Sequence, residues 1–186
     1  MAFFVFFIHN MMFNRKYSYS SLHIGVPGEL SQEIYDWGIK KIPDKILYRE
    51  ECGLKSGRED DVHITVLYGI CTESVNKIEQ SLEGEKPIEV EIDKIDLFIT
   101  NQKYDVIKLN VLSQDLYKLN SKLDKSLEHV EKYEKFEPHI TLAYVNKNSG
   151  WKYFGFDKFK GKRFVANEII FSPRIENKQK ILLEGS

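Results

Sequence analysis

The chain contains only two cysteines among its 186 residues, Cys52 and Cys71, and they form no Cys-x-x-Cys pair. This excludes a disulfide framework and a structural zinc site of ordinary spacing, and it predicts free thiols in a reducing, cytoplasmic compartment. No apolar run approaches the roughly 18 residues that a membrane-spanning helix needs, so no stable membrane association is expected. The net charge is −1, from 27 basic and 28 acidic side chains, and it provides no global attraction to nucleic acid.

Apolar residues make up 42% of the chain and aromatic residues 13%, which is enough to bury a core. The first sixteen residues stand apart, because the apolar run Phe3–Ile8 lacks the preceding positive charge and the cleavage site of a secretory signal. We expect residues 1–16 to be a tail that is either not native or disordered; an extra edge strand and a short membrane anchor are the alternatives. Residues 17–186 are expected to form a single domain, and a monomer is favoured.

Hydrophobic periodicity and helix-start residues outline the elements of this domain. Thr72 and Ser113 are predicted as N-caps of the second and third helices. The order of elements is nearly a duplication, and no Pro-, Gly- or Ser-rich linker separates its halves, so two lobes of one domain are expected. The predicted strands cover 19–27, 62–70, 88–100, 104–112, 138–145, 164–171 and 178–184, and the predicted helices cover 30–41, 72–82 and 113–129.

One tripeptide, His-Ile-Thr, occurs twice in a strand pattern, at His63–Thr65 and at His139–Thr141, 76 residues further along. Successive side chains of a strand point to opposite faces. The histidine and threonine of each copy therefore share a face, with Cβ atoms about 6.5–7 Å apart, while the isoleucine points toward the core. Burial of the alternate residues fixes this arrangement, because a slip of one residue would bury the histidine and the threonine.

Two histidines and two hydroxyls on facing strands suit phosphodiester chemistry. Imidazole is close to half-protonated at neutral pH, so one ring can remove a proton while the other supplies one. Threonine hydroxyls donate hydrogen bonds to phosphoryl oxygens without a metal. Cleavage of a cyclic or bridged phosphodiester needs one group to activate the attacking oxygen and another to protonate the leaving oxygen.

The paired His-x-Thr motifs, their separation and the context Phe136–Ala143 resemble the 2H phosphoesterase superfamily, which includes RNA 2′,3′-cyclic phosphodiesterases, also called 2′-5′ RNA ligase-like proteins. By the order of elements the resemblance covers residues 19–184. It implies an α+β fold in which two pseudo-symmetric β-α-β lobes of mostly antiparallel sheet surround a central groove. It also implies that no metal and no other cofactor is needed.

Carried over to this sequence, the resemblance makes His63 and His139 the general base and acid, in an order that stays open, and makes Thr65 and Thr141 the phosphate-holding residues. The implied function is a phosphoric diester hydrolase that acts on 2′,3′-cyclic phosphates or on 2′-5′ or 3′-5′ linked (oligo)nucleotides.

Three alternatives accompany this interpretation. One is a phage-type nuclease that degrades cyclic di- or oligonucleotide immune signals, and another is a non-catalytic module that binds RNA or nucleotides. The third is a metal site formed by the two histidines with Asp61 and Glu137, which lie two residues before each histidine. That site would leave the threonine pair without a role, because threonine is a poor ligand.

Residues 147–163 interleave aromatic rings with six basic side chains against the single acid Asp157, a net charge of +5. Such composition is typical of single-stranded RNA or nucleotide binding, and it is equally typical of a surface loop with solvated lysines. The predicted substrate-binding residues are Tyr144, Trp151, Lys152 and Tyr153, and the predicted partner is a nucleotide or RNA. His9, His23 and His129 are expected to be structural or exposed, and residues 49–61 to form a loop that contributes charge or acts as a lid.

Overall fold

A computed structural model describes residues 19–50, 57–99, 101–130, 135–174 and 177–184. The elements follow in this order: β1 (Ser20–Gly25), α1 (Gly28–Lys41), β2 (His63–Ile70), α2 (Val75–Leu82), β3 (Ile88–Phe98), β4 (Tyr104–Leu112), α3 (Gln114–Ser126), β5 (His139–Asn146), β6 (Arg163–Ala166), β7 (Glu168–Ser172) and β8 (Gln179–Leu182). Single-turn 3-10 helices lie at Asp44–Ile46 and Trp151–Tyr153.

The eight described strands form one sheet in the order β6-β3-β4-β5-β2-β1-β7-β8, and every pair in it is antiparallel. The two motif strands, β2 and β5, meet at its centre. The unit β1-α1-β2 on one side matches the unit β4-α3-β5 on the other; β7 and β8 extend the first lobe, and β3 and β6 extend the second. The predicted α+β fold with two pseudo-symmetric lobes is therefore confirmed.

Helices α1 and α3 each cover the motif strand of the other unit. Helix α1 contacts β5 and helix α3 contacts β2. The buried residues of α1 are Ile34 and Gly38, and those of α3 are Leu116, Leu119 and Leu123, spaced three and four apart as on one helical face. The isoleucine of each motif, fully buried, faces this layer, so the histidine and threonine are turned to the opposite face.

Residues before each motif strand pair with the other motif strand where β2 and β5 diverge. Arg58 bridges Ala143 on β5, and His129 bridges Ile70 on β2. The Arg58 guanidinium also donates to the carbonyl oxygens of Gly38 in the last turn of α1 and of Ile42, its C-cap residue. Both motif strands are thus paired on both edges, which holds the site on rigid elements.

Two predicted helix ends differ from the structure by three residues. The second helix begins at Val75 instead of position 72, because the Thr72 hydroxyl accepts a hydrogen bond from the Ser74 amide in a turn ahead of the helix. The cap predicted at Ser113 is confirmed, since its hydroxyl accepts from the Leu116 amide at 3.2 Å. The third helix ends at Ser126, so that His129 is free to bridge β2.

The predicted strand 164–171 is two strands that divide at Asn167. Strand β6 pairs with β3, whereas β7 pairs with β1, so the two lie at opposite ends of the sheet order. Side-chain alternation continues across the break and carries no information on which neighbour each strand has.

Several predictions fall on residues outside the described ranges, namely the tail at 1–16, Cys52, and positions 51–56 of the predicted loop. Cys71 is an exposed free thiol. No helix among the described residues is long and apolar enough to cross a membrane. The monomer and the cytoplasmic location stay predictions.

Candidate active site

The two motif strands pair through Ile64 and Ile140, in antiparallel register. That register places position 63 across from position 141 and position 65 across from position 139. The structure thus brings together His63, Thr65, His139 and Thr141, the four residues predicted as catalytic, on one face at the centre of the sheet.

Each motif strand shifts its register by one residue directly after its threonine. On β2, Thr65 pairs with His23 and Leu67 with Leu22, so Val66 is an extra residue. On β5, the same shift makes Leu142 the extra residue. A bulge of this kind reverses the alternation of side chains.

After the bulge, the fifth residue beyond each histidine returns to the site face. These residues are Tyr68 and Tyr144, which are both half-buried, whereas Leu67 and Ala143 before them are buried. Tyr144 was predicted from the sequence and Tyr68 was not. The missed signal is the longer repeat His-Ile-Thr-x-x-Tyr, which both strands carry.

Both imidazoles are held in the same way by a backbone carbonyl. Nδ1 of His63 lies 2.5 Å from the carbonyl oxygen of Asp61, and Nδ1 of His139 lies 2.6 Å from that of Glu137. A carbonyl oxygen only accepts hydrogen bonds, so each Nδ1 must carry a proton and donate it. The tautomer is thereby assigned, and Nε2 of each ring is left for substrate.

His139 lies against an aromatic ring. The Phe98 ring packs edge-on against its imidazole, with ring centroids 4.8 Å apart. Burial lowers the pKa of His139, and the positive charges of Lys108 and His63 lower it further, against the opposing effects of the Glu137 carbonyl hydrogen bond and carboxylate. The neutral, proton-accepting form of His139 is therefore favoured.

Lys108 on β4 is a buried cation on the site face, across from Thr141, with 2% of its surface exposed. Its ammonium donates to Asn110 Oδ1 at 2.7 Å, stands 3.6 Å from carboxylate oxygens of Asp96 and Glu137, and lies over the Phe98 ring at 4.2 Å. Nothing in the sequence pattern singled out this lysine, because alternation alone does not say which lysine of a strand faces inward.

His23 on β1 occupies the matching place in the other unit, across from Thr65. It is 4% exposed, its ring centroid lies 4.9 Å from that of His63, and its Nε2 has no hydrogen-bond partner among the described residues. Burial lowers the pKa of His23 to about 4, with smaller contributions from the charges of His63 and Lys178 and an opposing one from Asp61. The sequence prediction treated His23 as structural or exposed; its position between buried Leu22 and Ile24 places it on the groove face.

The two acids before the motifs hold the histidines through their backbone carbonyl oxygens, whereas their carboxylates pair with lysines. Asp61 bonds to Lys178, and Glu137 faces Lys108. Burial would raise the pKa of Asp61, but the hydrogen bond and charge of Lys178 outweigh it and lower the pKa. Over the described ranges, no three His, Cys, Asp or Glu side chains are grouped as a metal ion would require.

Three tyrosine rings form a row beside the second motif, and we call it the tyrosine row. Tyr144 packs edge-on against Tyr104 at 5.6 Å, and Tyr104 packs against Tyr48 at 5.0 Å. All three rings are half-buried. Such rings are of the kind on which a nucleobase stacks.

The basic-aromatic stretch 147–163 is mostly occupied by contacts within the protein. Tyr153 is 3% exposed; its ring packs against Trp37 and its hydroxyl donates to the Lys41 carbonyl oxygen. Its ring therefore offers no face on which a nucleotide could stack, and the structure does not support the predicted role of Tyr153 in substrate binding. Five of the six basic side chains form ion pairs: Lys147 with Asp105, Lys158 and Lys162 with Glu33, Lys160 with Asp93, and Arg163 with Glu91.

The remaining predicted residues of this stretch are at the surface. Trp151 is 51% exposed, with its ring centroid 6.0 Å from that of the exposed Phe154, and Lys152 is exposed with its ammonium 4.8 Å from the Tyr153 ring centroid.

Known structures share this fold at low sequence identity. The protein TT0787 of Thermus thermophilus has a TM-score of 0.60 at 13% identity, with 88% of this chain and 94% of that chain covered. LigT of E. coli, solved with 3′-AMP, has a TM-score of 0.60 at 17% identity and coverages of 89% and 95%. Usb1 of Kluyveromyces marxianus, solved with uridine monophosphate, has a TM-score of 0.53 at 10% identity and coverages of 90% and 99%.

No curated protein sequence matches the chain significantly. The model of the 2′-5′ RNA ligase superfamily matches residues 33–164, which include both motifs and most of the sheet. This span exceeds two thirds of the chain. The chain therefore belongs to the 2′-5′ RNA ligase superfamily, and the prediction of a 2H phosphoesterase from its paired motifs is confirmed.

Proposed function

We propose that the protein is a metal-independent phosphodiesterase that cleaves 2′,3′-cyclic phosphates or 2′-5′ or 3′-5′ linked (oligo)nucleotides. One observation carries the proposal. His63 and His139 present Nε2 from the same backbone-fixed tautomer, and each lies across the sheet from the threonine of the other motif. This is the arrangement that an in-line reaction at phosphorus needs, with a proton acceptor at one end and a proton donor at the other.

In the hydrolytic reaction, Nε2 of one histidine takes a proton from water while the water oxygen bonds to phosphorus. The bond from phosphorus to a ribose oxygen breaks, and Nε2 of the other histidine gives its proton to that oxygen. Thr65 and Thr141 donate hydrogen bonds to the phosphoryl oxygens, where negative charge develops. In the transesterifying reaction the attacking group is a ribose 2′-hydroxyl, and the product is a cyclic phosphate.

The tyrosine row supports a nucleotide as the substrate. Tyr144 lies on the same strand face as His139 and Thr141, so a base attached to the reacting ribose phosphate reaches its ring. LigT with 3′-AMP and Usb1 with uridine monophosphate are nucleotide-bound members of the same fold. We place Trp151 and Lys152 in an outer part of the binding surface, beyond the end of β5, where a longer RNA would continue.

The test is turnover in EDTA of a panel of 2′,3′-cyclic nucleotides, 2′-5′ oligoadenylate, 3′-5′ RNA and cyclic dinucleotides. Wild type is compared with His63→Ala and His139→Ala. His129→Gln is the matched control, because His129 bonds to Leu127 and Asp124 at the end of α3. Metal-free cleavage that both alanine variants lose and the control keeps is the expected result.

Other outcomes lead to the alternatives. Cleavage confined to cyclic dinucleotides identifies the nuclease of cyclic signals. Cleavage that requires added metal contradicts the two-histidine mechanism. Tight binding without a product, in wild type and variants alike, identifies a binding module.

A further inference from the structure

Two buried polar side chains occupy the same place in the two units of the fold. His23 lies across from Thr65 on the outer neighbour of β2, and Lys108 lies across from Thr141 on the outer neighbour of β5. Besides these two, Ser20 and Asp105 are the buried polar residues of the described ranges. The pseudo-symmetric site is therefore asymmetric at these two positions, where one unit has an imidazole and the other an ammonium.

The two side chains also differ in charge. A protonated His23 would bury a charge and an N–H at Nε2 that has no acceptor among the described residues, so the ring stays neutral. The Lys108 ammonium donates to Asn110 Oδ1 and lies 3.6 Å from carboxylate oxygens of Asp96 and Glu137. The buried neighbour of His63 is thus neutral and the buried neighbour of His139 is a cation.

We propose that His23 and Lys108 are positioning residues that give the two motif histidines opposite tasks, with His139 taking the proton of the attacking group and His63 supplying a proton to the leaving oxygen. This inference rests on the proposed function for its chemical consequence. Its physical content, the neutral state of the buried His23 ring and the effect of the Lys108 charge on His139, is independent of any substrate.

The charged groups around His139 favour its neutral form. Lys108 comes from β4, Asp96 from β3, Glu137 from the segment before β5, and His63 from β2. The carboxylates of Asp96 and Glu137 are partly exposed to water, which screens their charge, whereas the Lys108 side chain is buried. The uncompensated influence on the ring is positive, in addition to the burial of the ring itself.

The charged groups around His63 contain no such unbalanced cation within the described part of the chain. Asp61 and Lys178 pair with each other, His23 is neutral, and His139 is the remaining charged neighbour when protonated. The groups around His63 therefore lack a counterpart of the buried Lys108 cation. After one hydrolysis His139 carries the proton of the water and His63 has given its own to the ribose oxygen, and exchange of both with solvent restores the starting state.

The experiment is an NMR titration of the histidine ring protons in the substrate-free protein, assigned with single His→Gln variants. In wild type, the His23 ring is expected to show no titration between pH 5 and 8, and a transition inside that range overturns its part in the proposal. In Lys108→Met, the midpoint for His139 is expected to rise by at least ~0.5 unit, since a nearby like charge has been removed. Lys180→Met removes an exposed lysine on β8 as a matched control and is expected to leave the His139 midpoint in place.

A His139 midpoint that stays or falls in folded Lys108→Met overturns the proposal, and Lys108→Gln replaces that variant if it fails to fold. With an active substrate, the acid limb of kcat/KM should move upward with the His139 midpoint, so that activity at pH 5 falls about 3–10-fold. If the midpoints behave as expected and no substrate of the panel is cleaved, the proposed function fails while the assignment of protonation states stands.

Discussion

Ile64 pairs with Ile140 across the centre of the sheet, and this contact places the histidine of each motif beside the threonine of the other. Neither motif is a complete site by itself. In the proposed reaction, a phosphate between the two imidazoles would meet one hydroxyl from each strand, so both threonines would contribute alike.

Replacing either threonine by valine, Thr65→Val or Thr141→Val, should lower kcat/KM by about 10–100-fold. A hydrogen bond to a charged group contributes roughly 1.5–3 kcal/mol, and valine keeps the shape without the hydroxyl. Steady-state kinetics on the best substrate of the panel measure the loss. Thr→Ser variants retain the hydroxyl and should keep most of the activity; equal losses in the serine and valine variants would contradict hydrogen bonding to phosphate.

If a base stacks on the tyrosine row, changes there should weaken substrate binding without impairing the chemical step. Tyr144→Leu should raise KM about tenfold for a nucleoside cyclic phosphate, because stacking of a base on an aromatic ring contributes roughly 1–3 kcal/mol. Tyr144→Phe keeps the ring and serves as the control. A ribose cyclic phosphate without a base should show no difference among the three proteins; if it does, Tyr144 acts on the phosphate or on the fold instead.

The outer surface predicts a dependence on substrate length. Trp151→Ala and Lys152→Ala should weaken binding of RNA oligonucleotides several-fold, since an exposed ring and an exposed lysine are available to flanking nucleotides. A mononucleotide cyclic phosphate does not extend past Tyr144 and should bind as in wild type. Titration of fluorescent oligonucleotides of increasing length measures this, and an equal effect on both substrates would remove Trp151 and Lys152 from the interface.

The neutral His23 predicts a loss of stability in mild acid. Its pKa is 6.5 in the unfolded chain and about 4 in the folded protein, so the unfolded state binds more protons in the intervening range. The contribution of neutral His23 to the free energy of unfolding is present in full above pH 6.5. About 3 kcal/mol of it is lost as the pH drops to 4. Denaturant unfolding of His23→Gln should lack this part of the pH dependence, and identical pH profiles for wild type and variant would show that the ring is not buried neutral.

The Asn120 side chain links α3 to the bulge of β2, and the loss of this link should destabilise the protein. Its side-chain amide donates to the Val66 carbonyl oxygen at 2.7 Å, and Val66 is the extra residue that returns Tyr68 to the site face. Asn120→Ala leaves that carbonyl without its partner and should cost about 1–3 kcal/mol of unfolding free energy. Lys118→Ala, an exposed change on the same helix, is the control. A variant as stable as the control would mean that water replaces the amide.

The parts of the site that sequence reasoning found are those repeated in the chain. His63 and His139 stand in identical tripeptides, and alternation alone places each with its threonine. His23 and Lys108 occur once each, and they belong to the site because β1 and β4 lie beside the motif strands, a pairing that no local pattern encodes. Tyr153 shows the opposite error, since the composition of its segment is typical of a binding loop while the ring fills the space beside Trp37.

The crossed packing of α1 on β5 and α3 on β2 makes the candidate site depend on both units of the fold. Opening one lobe removes the helix that covers the other lobe's motif strand, and exposes the apolar side of Ile64 or Ile140 to water. We therefore expect local unfolding of either unit to disturb the candidate site as well. The two halves are joined as the subunits of a domain-swapped dimer would be, and the proposed site lies where they meet.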